Sequence, residues 1–185
     1  MLFLDHLIFA FWAVFILYWI ISAIGVKKNV RTDEWRRDAG IRIFLIIIVV
    51  ILLQLSEFWR IFSYQFPISV QAIGVVLCAM GLACAIWARV HLGKNWSGMP
   101  SIKEGHELVT SGPYHLVRHP IYTGMLLALF GSALVAGVIW LAVFMIFTAN
   151  FFYRIPVEER YMMQLFPDQY AEYKKRTKAL IPFVW

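Results

Sequence analysis

IYTGMLLALFGSALVAGVIWLAVFMIFTANFFY, residues 121–153, is an apolar run without one charged side chain. As a single helix it would reach roughly 50 Å at 1.5 Å per residue, too long for a bilayer whose hydrocarbon is about 30 Å thick, even with tilt. It must be broken, and Gly131, Ser132 and Gly137 lie near its middle. The expected result is two helices, at about 121–135 and 138–154, forming a helical hairpin.

The rest of the chain extends the same reading. Of its 185 residues 61% are hydrophobic and only 15% charged, a balance outside that of soluble domains. Three further apolar runs precede the hairpin: about Leu7 to Ile24, Ile43 to Leu55 with ends extended by Arg42 and the aromatic segment after Glu57, and Val70 to Leu92. Each is read as a span, which makes the protein an all-α integral membrane protein of five transmembrane helices, spans 4 and 5 being the hairpin. A chain this short has room for one compact domain and for no large soluble one.

The basic residues test the count independently. With five spans, the segments after spans 1, 3 and 5 share one side of the membrane. With the span ends that adjoin them, they carry 16 of the 17 Lys and Arg residues, and only Arg60 falls on the other side. The positive-inside rule then places the span 3–4 loop and the C-terminus in the cytoplasm and the N-terminus outside. The net charge of +6 reads as topology and attraction to anionic lipid headgroups, not as nucleic-acid binding.

The N-terminus carries Asp5 and no Lys or Arg before the first apolar run, so span 1 is expected to be retained and not cleaved as a signal peptide. The two cysteines, Cys78 and Cys84, both lie inside span 3 with no metal-ligand spacing, and no metal site is expected. Gly74, Cys78, Gly81, Ala85 and Ala88 recur every three or four residues, as do Gly124, Ala128 and Ser132 on span 4. Small residues at that spacing allow two helices to approach closely, so spans 3 and 4 are expected to pack together.

Ionisable residues gather where the hairpin begins. Residues 112–124 read GPYHLVRHPIYTG, and the irregular stretch before them, 93–111, contains HELVT at 106–110, a candidate short extended piece. Pro120 suits the first turn of span 4, which would leave Arg118 and His119 at the positive end of that helix. Alone, this block fits a basic interfacial anchor about as well as a functional site. The tail adds Arg154, Glu158 and Glu159, then Phe166 to Arg176. Pro156 followed by two glutamates has the signature of a helix start, and Pro167 with Asp168 repeats it.

The blocks His-x-Leu-Val-Thr-x-Gly-x-Tyr (106–114), Arg-His-Pro-x-Tyr-x-Gly (118–124), Glu158-Glu159 and Phe-x-x-x-Tyr-x-x-Tyr-Lys-Lys-Arg (166–176), with Pro182 near the end, resemble the isoprenylcysteine carboxyl methyltransferase family in order and spacing. The resemblance begins at about Gly93; the first two spans carry nothing diagnostic. It implies methyl transfer from S-adenosylmethionine to a lipid-linked or other lipophilic acceptor at the cytoplasmic membrane face. The whole chain, 1–185, would be one membrane-embedded domain, with 1–69 holding spans 1 and 2 and 70–185 the catalytic core. By motif position His106, Leu108, Val109, Tyr114, His119, Pro120, Ile121 and Tyr122 would bind the cofactor. Arg154 and Glu158 would stand at the acceptor end with Arg118 beside them. The family has a polar residue where this chain has Met99.

The chemistry is consistent with that assignment. Methyl transfer from a sulfonium depends on alignment and desolvation, and a carboxylate acceptor needs no strong base. An arginine that orients its two oxygens is more useful, and Arg154 suits that role, with Glu158 one turn on to hold the guanidinium. His106 and His119 are read as hydrogen-bonding the cofactor, and Tyr114 and Tyr122 as facing its adenine or sulfonium. The loop 93–120 and the tail after Arg154 are expected to cover the cofactor pocket together, C-terminal helices included. Partners are a lipophilic or prenylated acceptor and membrane lipid, and a monomer is the default for a site within one chain. Competing readings are a phospholipid N-methyltransferase, whose amine acceptor must lose a proton, a membrane sterol reductase, which would be much longer, and a non-enzymatic bundle. None of the eleven glycines forms the Gly-x-Gly turn of a soluble nucleotide-binding domain.

Overall fold

The computed structural model describes residues 2–22, 29–31, 66–96, 102–103, 107–182 and 184. The expected second span, His106 and Met99 lie outside them. The described elements are α1 (Leu2–Ser22), β1 (Asn29–Arg31), α2 (Ile68–Leu92), a 3-10 turn (Gly93–Asn95), β2 (Ile102–Lys103), a second 3-10 turn (Gly112–His115), α3 (Pro120–Ala136), α4 (Val138–Leu165) and α5 (Pro167–Arg176). Among the described residues three helices are long and apolar enough to cross a membrane, Phe3–Ser22, Ile68–Asn95 and Val138–Leu165, and Pro120–Ala136 is a shorter apolar helix.

The break in the long apolar run falls at Gly137. Its φ of 83° lies in the left-handed region, which costs a residue with a Cβ more than it costs glycine. On either side of it, Phe130 of α3 meets Phe144 of α4 with ring centroids 5.8 Å apart, and Tyr122 stacks on Phe151 at 4.0 Å. The pairing runs in opposite directions along the two helices.

The small residues expected to pack together do so at very close range. A Cβ placed on Gly81 would lie 2.5 Å from the Gly124 carbonyl oxygen and the Ala128 amide nitrogen, and one on Gly74 would lie 2.6 Å from the Gly131 carbonyl oxygen. Thus α2 and α3 cross backbone to backbone, antiparallel, with room for hydrogen alone at these positions. Cys78, Ala85, Ala128 and Ser132 fill the seam and are inaccessible to solvent. The Ser132 hydroxyl donates to the Ala128 carbonyl and accepts from the Trp12 indole at 3.0 Å. That bond and the stacking of Trp12 on Trp140 at 5.7 Å seat α1 against the other helices.

Two local expectations are corrected. Residues 107–110 have no regular structure; β2 lies earlier, at Ile102–Lys103, and pairs antiparallel with β1. Pro156 does not start a helix, because α4 runs through it to Leu165. A proline inside a helix removes one backbone hydrogen bond and costs about 3 kcal/mol. Burial of Phe151 and Ile155 and the ion pairs of the following glutamates hold the helix together across it. At 28 residues, α4 is roughly 42 Å long, longer than the hydrocarbon is thick, and Arg154, Glu158 and Glu159 lie in its C-terminal half.

Candidate functional site

The site forms where the 112–120 segment, the end of α4 and the tail meet. Backbone contacts fix the arrangement: the Arg118 amide donates to the Lys178 carbonyl at 2.8 Å and the His119 amide to the Ala179 carbonyl at 3.0 Å. The Tyr173 hydroxyl donates to the Tyr114 carbonyl at 2.5 Å, and the Thr123 hydroxyl to the Leu180 carbonyl at 2.7 Å. The tail after Arg154 therefore closes on the chain at Tyr114, Arg118, His119 and Thr123.

Glu158 and Glu159 are successive residues on a helix, about 100° apart around its axis, so they face different partners. Glu158 accepts from the Tyr122 hydroxyl at 2.5 Å and pairs with Arg154, one turn earlier, at 3.1 Å. Glu159 accepts from Arg118 Nε at 2.6 Å and pairs with Lys174 Nζ at 2.6 Å. His119 sits between them, Nδ1 3.5 Å from Glu158 and Nε2 3.6 Å from Glu159. These are ion-pair distances, too long for strong hydrogen bonds, and Nε2 is buried without a hydrogen-bond partner. Arg118 also donates to the carbonyls of Lys174 and Thr177, which fastens α5 and the tail to the loop. With only 9% of its side chain exposed, Arg118 pairs with Glu159 and not with Glu158.

Beside this charged cluster lies an apolar one. Ala88, Tyr114 and Ile121 form its buried centre, with Val109, Trp96 and Tyr122 packed against it. Four of the expected cofactor residues, Val109, Tyr114, Ile121 and Tyr122, are thereby brought together. Tyr122 belongs to both clusters: its ring stacks between His119 at 5.6 Å and Phe151 at 4.0 Å, while its hydroxyl reaches Glu158. Pro120 is fully buried at the first turn of α3, and Leu108 is half-buried beside the loop. Sequence reasoning left Glu159 without a role. Its signal was the pairing of two glutamates with a basic run in the tail, but nothing in the sequence says that Lys174 reaches back to it.

Burial alone would push the His119 pKa down, but Glu158 and Glu159 outweigh it, so the pKa lies above the ordinary histidine value. The raised value fixes the sign of the pH dependence. The stabilising contribution of His119 is fully present below the unfolded value of about 6.5 and is lost as pH rises through the higher folded value. Thermal unfolding of wild type and His119→Gln across that range checks this. The stability gap is expected to be widest at acid pH and to shrink as pH rises; a gap that widens with pH contradicts the assignment.

Among the described residues no group of three or more His, Cys, Asp or Glu side chains could hold a metal ion. The profile of the family described as Phospholipid methyltransferase matches residues 70–169. Protein-S-isoprenylcysteine O-methyltransferase B of Arabidopsis thaliana is 34% identical over 115 residues, covering 60% of this chain and 58% of that protein. The probable protein-S-isoprenylcysteine O-methyltransferase of Oryza sativa subsp. indica is 30% identical over 135 residues, 71% of this chain and 66% of that protein. The chain thus spans somewhat under two thirds of the length of these relatives. In fold it is similar to the eukaryotic intramembrane Ras methyltransferase ICMT, with a TM-score of 0.60 over 84% of this chain and 55% of the other, at 22% identity.

Proposed function

The chain belongs to the phospholipid methyltransferase family, and from that membership we propose that it is an S-adenosylmethionine-dependent methyltransferase that esterifies the carboxylate of an isoprenylcysteine-like or other lipophilic acceptor. The observation that carries the reading is Tyr122, which joins an aromatic, apolar cluster to the Glu158–Arg154 pair. A cationic sulfonium bearing an adenine ring needs both surroundings, aromatic faces and nearby carboxylate. Buried donors without hydrogen-bond partners, His119 Nε2 and Arg89 Nε, are further groups that a polar ligand would satisfy. When bound, S-adenosylmethionine supplies an electrophilic methyl group on sulfur.

The residues of this chain bind and orient. Val109, Tyr114, Ile121 and Tyr122 would line the cofactor side with Leu108, Pro120, His119 and the His106 of the preceding motif. Glu158 holds the Arg154 guanidinium in place, and Arg154 would present its planar face of donors to the acceptor carboxylate. Arg118, placed by sequence at the acceptor boundary, would act from one step back by securing the tail through Glu159. The contact between loop and tail would help keep water from the reacting atoms.

The alternative, methylation of a phospholipid amine, requires a base to remove a proton. Glu158 already accepts from Tyr122 and Arg154, and His119, with its raised pKa, lies between two carboxylates. A carboxylate acceptor needs no such base, which favours the ester. By this reading the protein is one membrane-embedded domain, monomeric, with five spans that include the α3–α4 hairpin. Its active site faces the cytoplasm and its N-terminus lies outside; the acceptor enters sideways from lipid.

Purified protein in lipid nanodiscs, given methyl-labelled S-adenosylmethionine with either a farnesylated cysteine or phosphatidylethanolamine, tests the reading. The label is expected on the cysteine compound, released as methanol by mild alkali. Stable label on the phospholipid amine would select the alternative.

A further inference from the structure

A buried cation lies apart from the ion-pair cluster. Arg89, near the C-terminal end of α2, is only 3% exposed. Its Nη1 donates to the Gly93 carbonyl at 2.9 Å, its Nη2 donates to the Ser22 carbonyl, and its guanidinium lies 4.3 Å over the Trp96 ring. All three partners are neutral. Its Nε is buried with no hydrogen-bond partner, and among the described residues no carboxylate pairs with it.

A buried guanidinium is strongly disfavoured unless an anion compensates it. The two carbonyls stand at the C-terminal ends of α2 and α1 and bring partial negative charge, which offsets part of that cost. They leave the Nε–H unused, and Nη2 retains a second hydrogen. Nε and Nη2 together form the side-on fork that matches the two oxygens of a carboxylate. The fork stands beside the candidate cofactor cluster: Ala88, the preceding residue, packs with Tyr114 and Ile121, and Trp96, which Arg89 covers, packs there too.

We propose that Arg89 binds the carboxylate of the amino-acid portion of S-adenosylmethionine. The proposal rests on the methyl-transfer reading above and extends it to a residue outside the shared motifs. A lipid phosphate would match the same fork, but a side chain this buried, at the edge of the aromatic cluster, suits a ligand enclosed by the protein.

Calorimetric titration with two ligands tests it. S-adenosylhomocysteine carries the carboxylate; 5′-deoxy-5′-methylthioadenosine has the same adenosine and thioether without the amino-acid part. Arg89→Lys and Arg89→Gln are expected to weaken S-adenosylhomocysteine by about tenfold or more and to leave methylthioadenosine within about twofold of wild type. Equal losses for both ligands would mean that Arg89 only supports the fold, and would overturn the proposal. So would unchanged S-adenosylhomocysteine affinity, including the case in which the variants instead lose bound anionic lipid. If wild type binds neither ligand, the methyl-transfer reading itself fails, a result distinct from an Arg89 variant that matches wild type.

Discussion

Arg154→Lys is expected to slow methyl transfer by about two to three orders of magnitude while changing S-adenosylhomocysteine affinity by less than about threefold. Lysine keeps the charge but loses the planar fork that aligns a carboxylate, so the loss falls on the reacting geometry and not on cofactor binding. Glu158→Gln is expected to cost less, because the amide oxygen still accepts from Arg154 and Tyr122, though without charge. Since Glu158 acts partly by holding Arg154, 3.1 Å away, the double variant should be little worse than Arg154→Lys alone. Initial rates with a saturating acceptor check this. Additive losses would show that the two residues work separately.

The second large effect is on stability. Gly81→Val should destabilise the protein by about 3 kcal/mol or prevent folding, because a Cβ at Gly81 would lie 2.5 Å from backbone atoms of Gly124 and Ala128. Backbone on a packed helix cannot move aside as a side-chain tip can. Met80, next in the chain but 58% exposed, provides the control. Met80→Leu should change stability by less than about 0.5 kcal/mol. Thermal unfolding in one detergent measures both. A Gly81→Val protein as stable as wild type would show that α2 and α3 do not cross at this seam.

The seam was legible in the sequence because it depends on a local rule: small residues every three or four positions, on two helices long enough to display them. Gly137 was legible for a similar reason, since a run this long must break somewhere and glycine breaks it at least cost. Pro156 misled because helix-start preferences are local and weak, whereas the contacts that carry α4 past it come from far along the chain. Arg118, His119, Tyr122 and Lys174 all converge on Glu158 and Glu159. Charge counting assigned Arg89 to the basic side of the membrane and stopped there. Its burial against Trp96 depends on the chain folding back after α2, which no spacing rule supplies. The individual site residues were therefore readable as motifs, while their division into an apolar group and an ion-pair group joined at Tyr122 was not.

The most direct test of the account is titration of the purified wild-type protein with S-adenosylhomocysteine. Saturable one-site heat, with a rise in unfolding temperature that grows with ligand concentration, is the predicted result. Absence of both heat and thermal stabilisation would contradict it, and would leave the Tyr122–Glu158–Arg154 arrangement as a fastening between helices.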